Sequence, residues 1–182
     1  MGKVRFDVSV SLDGFSAGPN PRFDEPLGDG GERLHEWMLQ TAGFKEAHGG
    51  GEGGATGRDD EVVRETSDNT GAYVMGRQMF GGGEGDWGDG SWKGWWGDDP
   101  PFHVPVFVLT HHPREPVPME GGTTFHFVTD GIESALEQAR AAAGDGVRLF
   151  GGTLSGAPRA LECTRVIESP TGVTHLTYRA AS

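Results

Sequence analysis

Apolar and polar residues alternate through Val4, Phe6, Val8, Val10 and Leu12, and the alternation stops at Asp13-Gly14-Phe15. A period of two puts these side chains on one face of a strand. The pattern therefore predicts a first strand buried on that face, ending in a loop where a carboxylate meets a conformationally permissive glycine. Three later apolar runs end in the same manner: Tyr73-Val74-Met75 before Gly76-Arg77, residues 106–109 before Thr110-His111, and residues 147–150 before Gly151-Gly152. Strands that deliver small, polar or basic groups at their carboxyl ends suit a ligand site along one edge of a sheet.

Between these runs the pattern changes period. After a Gly/Pro-rich loop over residues 18–31, Leu34, Trp37, Met38 and Thr41 share one face of a predicted helix. Residues 48–57 read as a glycine-rich surface loop. A second helix is predicted from Asp59-Asp60-Glu61-Val62-Val63, with its acids at the positive end of the helix dipole. The nearly continuous apolar run 104–110 predicts a strand covered on both faces, and 124–128 a further strand.

The clearest helix is 132–143, where Ile132, Ala135, Leu136, Ala139 and Ala143 form an apolar stripe and Asp130 and Glu133 have capping-box spacing. It leads through Gly144-Asp145-Gly146 into the strand 147–150, and strand, helix, strand in that order predicts parallel crossovers in an α/β sheet. Residues 160–167 and 173–178 alternate on either side of Ser169-Pro170-Thr171-Gly172, which predicts a closing β-hairpin.

Composition narrows the function classes. The 182 residues are read as one domain, 1–182, and 32 glycines with 35% hydrophobic residues place much of the length in loops. A net charge of −12 without a basic stripe argues against a nucleic-acid partner, whose phosphates need clustered Lys and Arg. An anionic small ligand stays open, because a few arginines and backbone amides suffice to hold a phosphate. No apolar run approaches the roughly 20 residues of a membrane span, and the start of the chain has no signal pattern, so a cytoplasmic protein with no membrane partner is expected. The single Cys163 excludes an internal disulfide framework and reads as a buried small hydrophobe.

Each candidate site residue has a plain alternative. Arg77, after a glycine at a strand end, either faces a ligand phosphate or is a surface arginine at a turn. Thr110 and His111, with His112, suit an adenosine 2′-phosphate, but polar residues also end strands as a matter of course. Gly151-Gly152 would let a pyrophosphate approach the backbone, a weak signal in so glycine-rich a chain. Trp87, Trp92, Trp95 and Trp96 crowd the loop 81–101, either tucked into the domain edge as a folded-back lid, the preferred reading, or stacking on a ligand. His103, His111, His112, Asp98 and Asp99 match no ligand spacing, so no metal site is expected, and a serine-hydrolase elbow is missing.

Taken in order, Ser11-Leu12-Asp13-Gly14-Phe15, Met75-Gly76-Arg77, residues 106–113, the helix 132–143 and the closing Glu168-Ser169-Pro170-Thr171-Gly172-Val173-Thr174-His175-Leu176 resemble the dihydrofolate reductase-like family. The branch most resembled is the reductase domain of the bifunctional riboflavin-biosynthesis deaminase-reductase. The resemblance implies a three-layer mixed sheet with flanking helices and a C-terminal hairpin, bound NADPH, a homodimer, and hydride transfer to a pyrimidine- or pterin-like ring. It further implies cofactor contacts at Gly76, Arg77, Thr110, His111, Gly151 and Gly152, a substrate side at Gly14 and Phe15, and a proton-handling role for Asp13. Arg22 is the one candidate for contact with a substrate phosphate.

The chain departs from the family after the Ala-rich helix. There the family continues through cofactor glycines, another helix and another strand, whereas residues 147–152 pass almost directly to the final hairpin. A sheet short of an internal strand would leave backbone groups unpaired unless another element filled the gap. The alternative to a reductase is accordingly a non-catalytic relative, shortened after about residue 150, that acts as a ligand-binding or interaction domain.

Overall fold

The computed structural model describes residues 3–22, 24–68, 70–144, 146–150 and 160–180. Their elements, in chain order, are β1 (Val4–Phe6), a 3-10 turn (Gly31–Leu34), α1 (Glu36–Leu39), α2 (Ala42–Ala47), α3 (Arg58–Ser67), β2 (Thr70–Gly76), α4 (Arg77–Phe80), β3 (Pro105–Leu109), β4 (Val117–Pro118), a second 3-10 turn (Glu120–Gly122), β5 (Thr124–Val128), α5 (Gly131–Ala143), β6 (Gly146–Phe150), β7 (Leu161–Glu168) and β8 (Thr174–Ala180). Six strands form one sheet in the order β1-β6-β2-β3-β5-β4, parallel throughout except for β4 against β5. Strands β7 and β8 pair antiparallel as a separate hairpin. The architecture is mixed α/β, and no helix among the described residues is long and apolar enough to cross a membrane.

The period of two decides what each face of the sheet buries. Ala72 and Val74 of β2, Phe107 of β3 and Val147 of β6 point to one face, where the small side chains of Ala135 and Ala139 let α5 pack closely. Tyr73 and Met75 of β2, Val106 and Val108 of β3 and Phe125 of β5 point to the other. That second face is covered by Phe80 of α4 and by Trp87, Trp92, Trp96 and Phe102. The tryptophan loop is thus folded back as a covering layer, and Trp92 Nε1 donates to the Phe80 carbonyl at 3.0 Å.

Several expectations are corrected. Only Val4–Phe6 of the first alternating run joins the sheet, and Val4, Phe6, Val8, Val10 and Leu12 are all exposed rather than buried. Among the described residues β1 is an edge strand, with β6 between it and β2. The same insertion closes the gap foreseen after α5, since β6 follows that helix directly and takes an internal position. The helix expected around 34–41 is divided, because Thr41 adopts an extended backbone and caps α2, its hydroxyl accepting from the Phe44 amide at 3.3 Å. Asp130 makes no side-chain cap on α5; its own backbone is not extended, and Gly131 at φ 90° opens the helix. Cys163 is exposed, because the hairpin does not join the main sheet.

The hairpin is fastened at its turn. Ser169 Oγ and Thr171 Oγ1 each donate to Asp59 Oδ2 at 2.8 Å, and His175 Nε2 lies 2.6 Å from Asp59 Oδ1. The Trp37 ring meets His175 edge-on, with centroids 4.8 Å apart. Burial works to raise the Asp59 pKa, but the bonds from His175, Thr171 and Ser169 together outweigh it and hold the carboxyl below its ordinary range.

Candidate anion-binding cleft at the carboxyl edge of the sheet

Strands β2 and β3 are adjacent and parallel, with Gly76 opposite Leu109, so the residues that follow them emerge side by side. Arg77 begins α4 directly after β2. Thr110 follows β3 and is held by its amide, which donates to the Val128 carbonyl at 3.1 Å. Its hydroxyl accepts from the His112 amide at 3.1 Å and stands 3.5 Å from Arg77 Nη1, while Arg77 Nη2 donates to the Gly82 carbonyl at 3.4 Å. At this corner opens a cleft of about 330 Å³, walled by Arg77, Thr110, His111 and His112 and faced by Glu84 between Gly83 and Gly85. A Cβ added at Gly76 would meet nothing within 4 Å, so the backbone there is open to close approach.

The tryptophan loop is clasped over the end of β3. Trp87 Nε1 donates to the His112 carbonyl at 2.9 Å, and His112 Nδ1 lies 2.9 Å from Asp86 Oδ1. The Arg77 guanidinium carbon is 3.2 Å from the centre of the Trp87 ring, and that of Arg114 is 4.9 Å from the same centre. Arg114 also lies 5.0 Å from the Phe127 ring and donates through Nη2 to the Gly90 carbonyl at 2.7 Å.

These arginines lack the partners that surface arginines normally find. Nε of Arg77 and Nη1 of Arg114 are buried without a hydrogen-bond partner, and among the described residues no carboxylate pairs with either side chain. Burial lowers the pKa of both, and the charge of Arg114 lowers that of Arg77 further. Both remain cationic at any working pH. Two cations held in partial burial, with no carboxylate in ion-pair contact among the described residues, make a place where an anion is favoured.

The structure brings four of the sequence-derived candidates, Gly76, Arg77, Thr110 and His111, to one corner. It does not bring Asp13, Gly14 and Phe15 there. Those residues form a tight exposed turn in which Ser11 Oγ donates to Asp13 Oδ1 at 2.6 Å and accepts from the Phe15 amide at 3.0 Å, with Gly14 at φ 89°. Gly151 and Gly152 lie outside the described residues. Arg22 is ruled out as a free phosphate contact, because Asp24, Glu25 and Asp29 of its own loop already surround it.

Sequence reasoning missed Glu84, Gln78 and Thr129 in the cleft wall and Arg114 behind it. Arg114 had a readable signal, a second basic group just beyond the end of β3. Compared with known proteins, the chain matches no family model, and no curated protein matches it significantly.

Proposed function

We propose that this chain is an NADPH-dependent reductase with a dihydrofolate reductase-like fold, acting on a pyrimidine- or pterin-like ring. One observation carries the reading: Arg77 and Thr110 converge at the ends of adjacent parallel strands, beside an open glycine, with a buried guanidinium nitrogen lacking any partner. Those groups fit a phosphorylated dinucleotide. Arg77, Thr110 and His111 would hold the 2′-phosphate, and Gly76 would admit the rest of the cofactor to the backbone. When bound, the cofactor supplies the hydride. The protein's share is to align the ring, exclude water and handle a proton, and the resemblance assigns the proton to Asp13 and the substrate wall to Gly14 and Phe15.

A second reading, a non-catalytic ligand-binding relative, is favoured by the Asp13 turn, which stands exposed and outside the cleft. A homodimer would suit either reading, since among the described residues β1 offers an unpaired edge followed by exposed Val8, Val10 and Leu12.

Titration of the purified protein with NADPH and NADH, followed by calorimetry or tryptophan quenching, tests the proposal. Saturable binding that prefers NADPH is expected, with Arg77→Ala weakening NADPH at least tenfold, about 1.4 kcal/mol, and NADH far less. Equal weakening of both would remove the phosphate assignment. A folded protein that binds NADPH but reduces no ring compound would leave the second reading.

A further inference from the structure

We propose that Arg114 and Arg77 act as a pair, joined through the Trp87 ring, that selects a phosphorylated ligand, with Arg114 positioning the site and setting its specificity from behind the cleft wall. The proposal rests on the reading of the cleft as an anion site, and it extends that reading to a residue that lines no part of the cavity.

Both guanidinium groups lie against the same indole, Arg77 at 3.2 Å and Arg114 at 4.9 Å from its centre. The negative face of an aromatic ring attracts a cation, so one ring can hold two like charges closer than they would otherwise settle. The ring itself is fixed by its bond to the His112 carbonyl, and Arg114 by its bond to the Gly90 carbonyl. The arginines are therefore tied to both ends of one loop segment, through Gly82 for Arg77 and Gly90 for Arg114.

Among the described residues neither has a carboxylate within ion-pair distance, although acids outnumber bases in this chain by 27 to 15. In a protein so rich in acids, two neighbouring arginines left without one mark a place kept open for an external anion. Glu84, in the cleft wall, is not within ion-pair distance of either. The chemistry to match two fixed cations beside a hydroxyl and an imidazole is a phosphate monoester dianion, with each arginine contributing charge and Arg77 also offering direct bonds.

The test compares Arg114→Gln and Arg114→Lys with the native chain, using NADPH, NADH and inorganic pyrophosphate as probes. Expected is a loss of at least tenfold in NADPH affinity for Arg114→Gln, with NADH changed less than threefold. Arg114→Lys, which keeps the charge on a different frame, should fall between Gln and the native chain. A role confined to packing the loop would weaken both dinucleotides alike with no recovery by Lys, and that result overturns the proposal, as does an unchanged NADPH/NADH ratio. Should Arg114→Gln fail to fold, a selective loss in Arg114→Lys supports the pair and an unaltered ratio overturns it.

Pyrophosphate separates this inference from the reductase reading. If the native chain binds neither dinucleotide yet binds pyrophosphate in a manner lost with Gln and kept in part with Lys, the arginine pair stands and the reductase falls. If the native chain binds none of the three probes, the pair falls as well.

Discussion

His175 Nε2 stands 2.6 Å from Asp59 Oδ1, although 116 positions separate them in sequence. Two hydroxyls from the same hairpin turn bond the other carboxylate oxygen, so a single buried acid at the start of α3 holds the last hairpin of the chain. Because Asp59 has a pKa lowered by folding, its contribution to stability is complete above the unfolded carboxyl value of about 3.9 and is lost as pH falls through the lower folded value.

Replacing Asp59 by Ala is expected to destabilise the protein by about 3 kcal/mol at neutral pH, leaving two hydroxyls and an imidazole without their acceptor. Urea unfolding at pH 7 and again below pH 4 checks this. The difference between variant and native chain should shrink at the acid end, and a difference independent of pH would show that the carboxylate charge plays no part.

The hairpin should open more easily than the sheet. Its strands bury little besides Ile167, and outside the turn it is linked to α3 by the Arg165–Glu65 ion pair. In the double variant Ser169→Ala, Thr171→Ala, amides of β7 and β8 are expected to exchange with solvent at least tenfold faster while those of β2 and β3 keep their protection. Uniform acceleration across both sheets would mean that hairpin and sheet unfold as one unit.

Gly71 is required by close approach. A Cβ there would fall 1.9 Å from the Ala143 carbonyl oxygen at the end of α5. Gly71→Ala should therefore cost about 2 kcal/mol or more and lower the thermal midpoint by several degrees. An unchanged midpoint would show that the last turn of α5 can shift aside.

The exposed side of the β1 segment makes the opposite prediction. Val10→Lys removes no buried contact, so its effect on monomer stability should stay within about 0.5 kcal/mol. If a second copy covers this edge, the same change should shift the molecular mass seen by light scattering toward the monomer. A native chain already monomeric at high concentration would count against the homodimer.

Much of the local structure was legible in the chain itself. The apolar run 104–110 pointed to a strand covered on both faces, as Val106, Phe107 and Val108 are, and Ala135 with Ala139 marked the face on which α5 packs. Gly76, Arg77, Thr110 and His111 could be named together because two short apolar runs end just before them and parallel neighbours bring their ends together. The first strand was expected to bury its alternating face, and Val8, Val10 and Leu12 are instead exposed. Alternation records that a face is apolar and says nothing about what will cover it.

The sequence by itself determined the periods, turns and strand ends, because these depend on steric and hydrogen-bonding preferences acting over a few residues. Only the tertiary structure decided that β6 would pair between β1 and β2 and that Val8, Val10 and Leu12 would stand exposed. It alone enclosed Arg22 in acids of its own loop and laid Arg77 and Arg114 against Trp87, with no ion pair to either among the described residues. Strand order and charge pairing are settled by competition among distant segments for the same neighbours, and no local pattern records which segment wins.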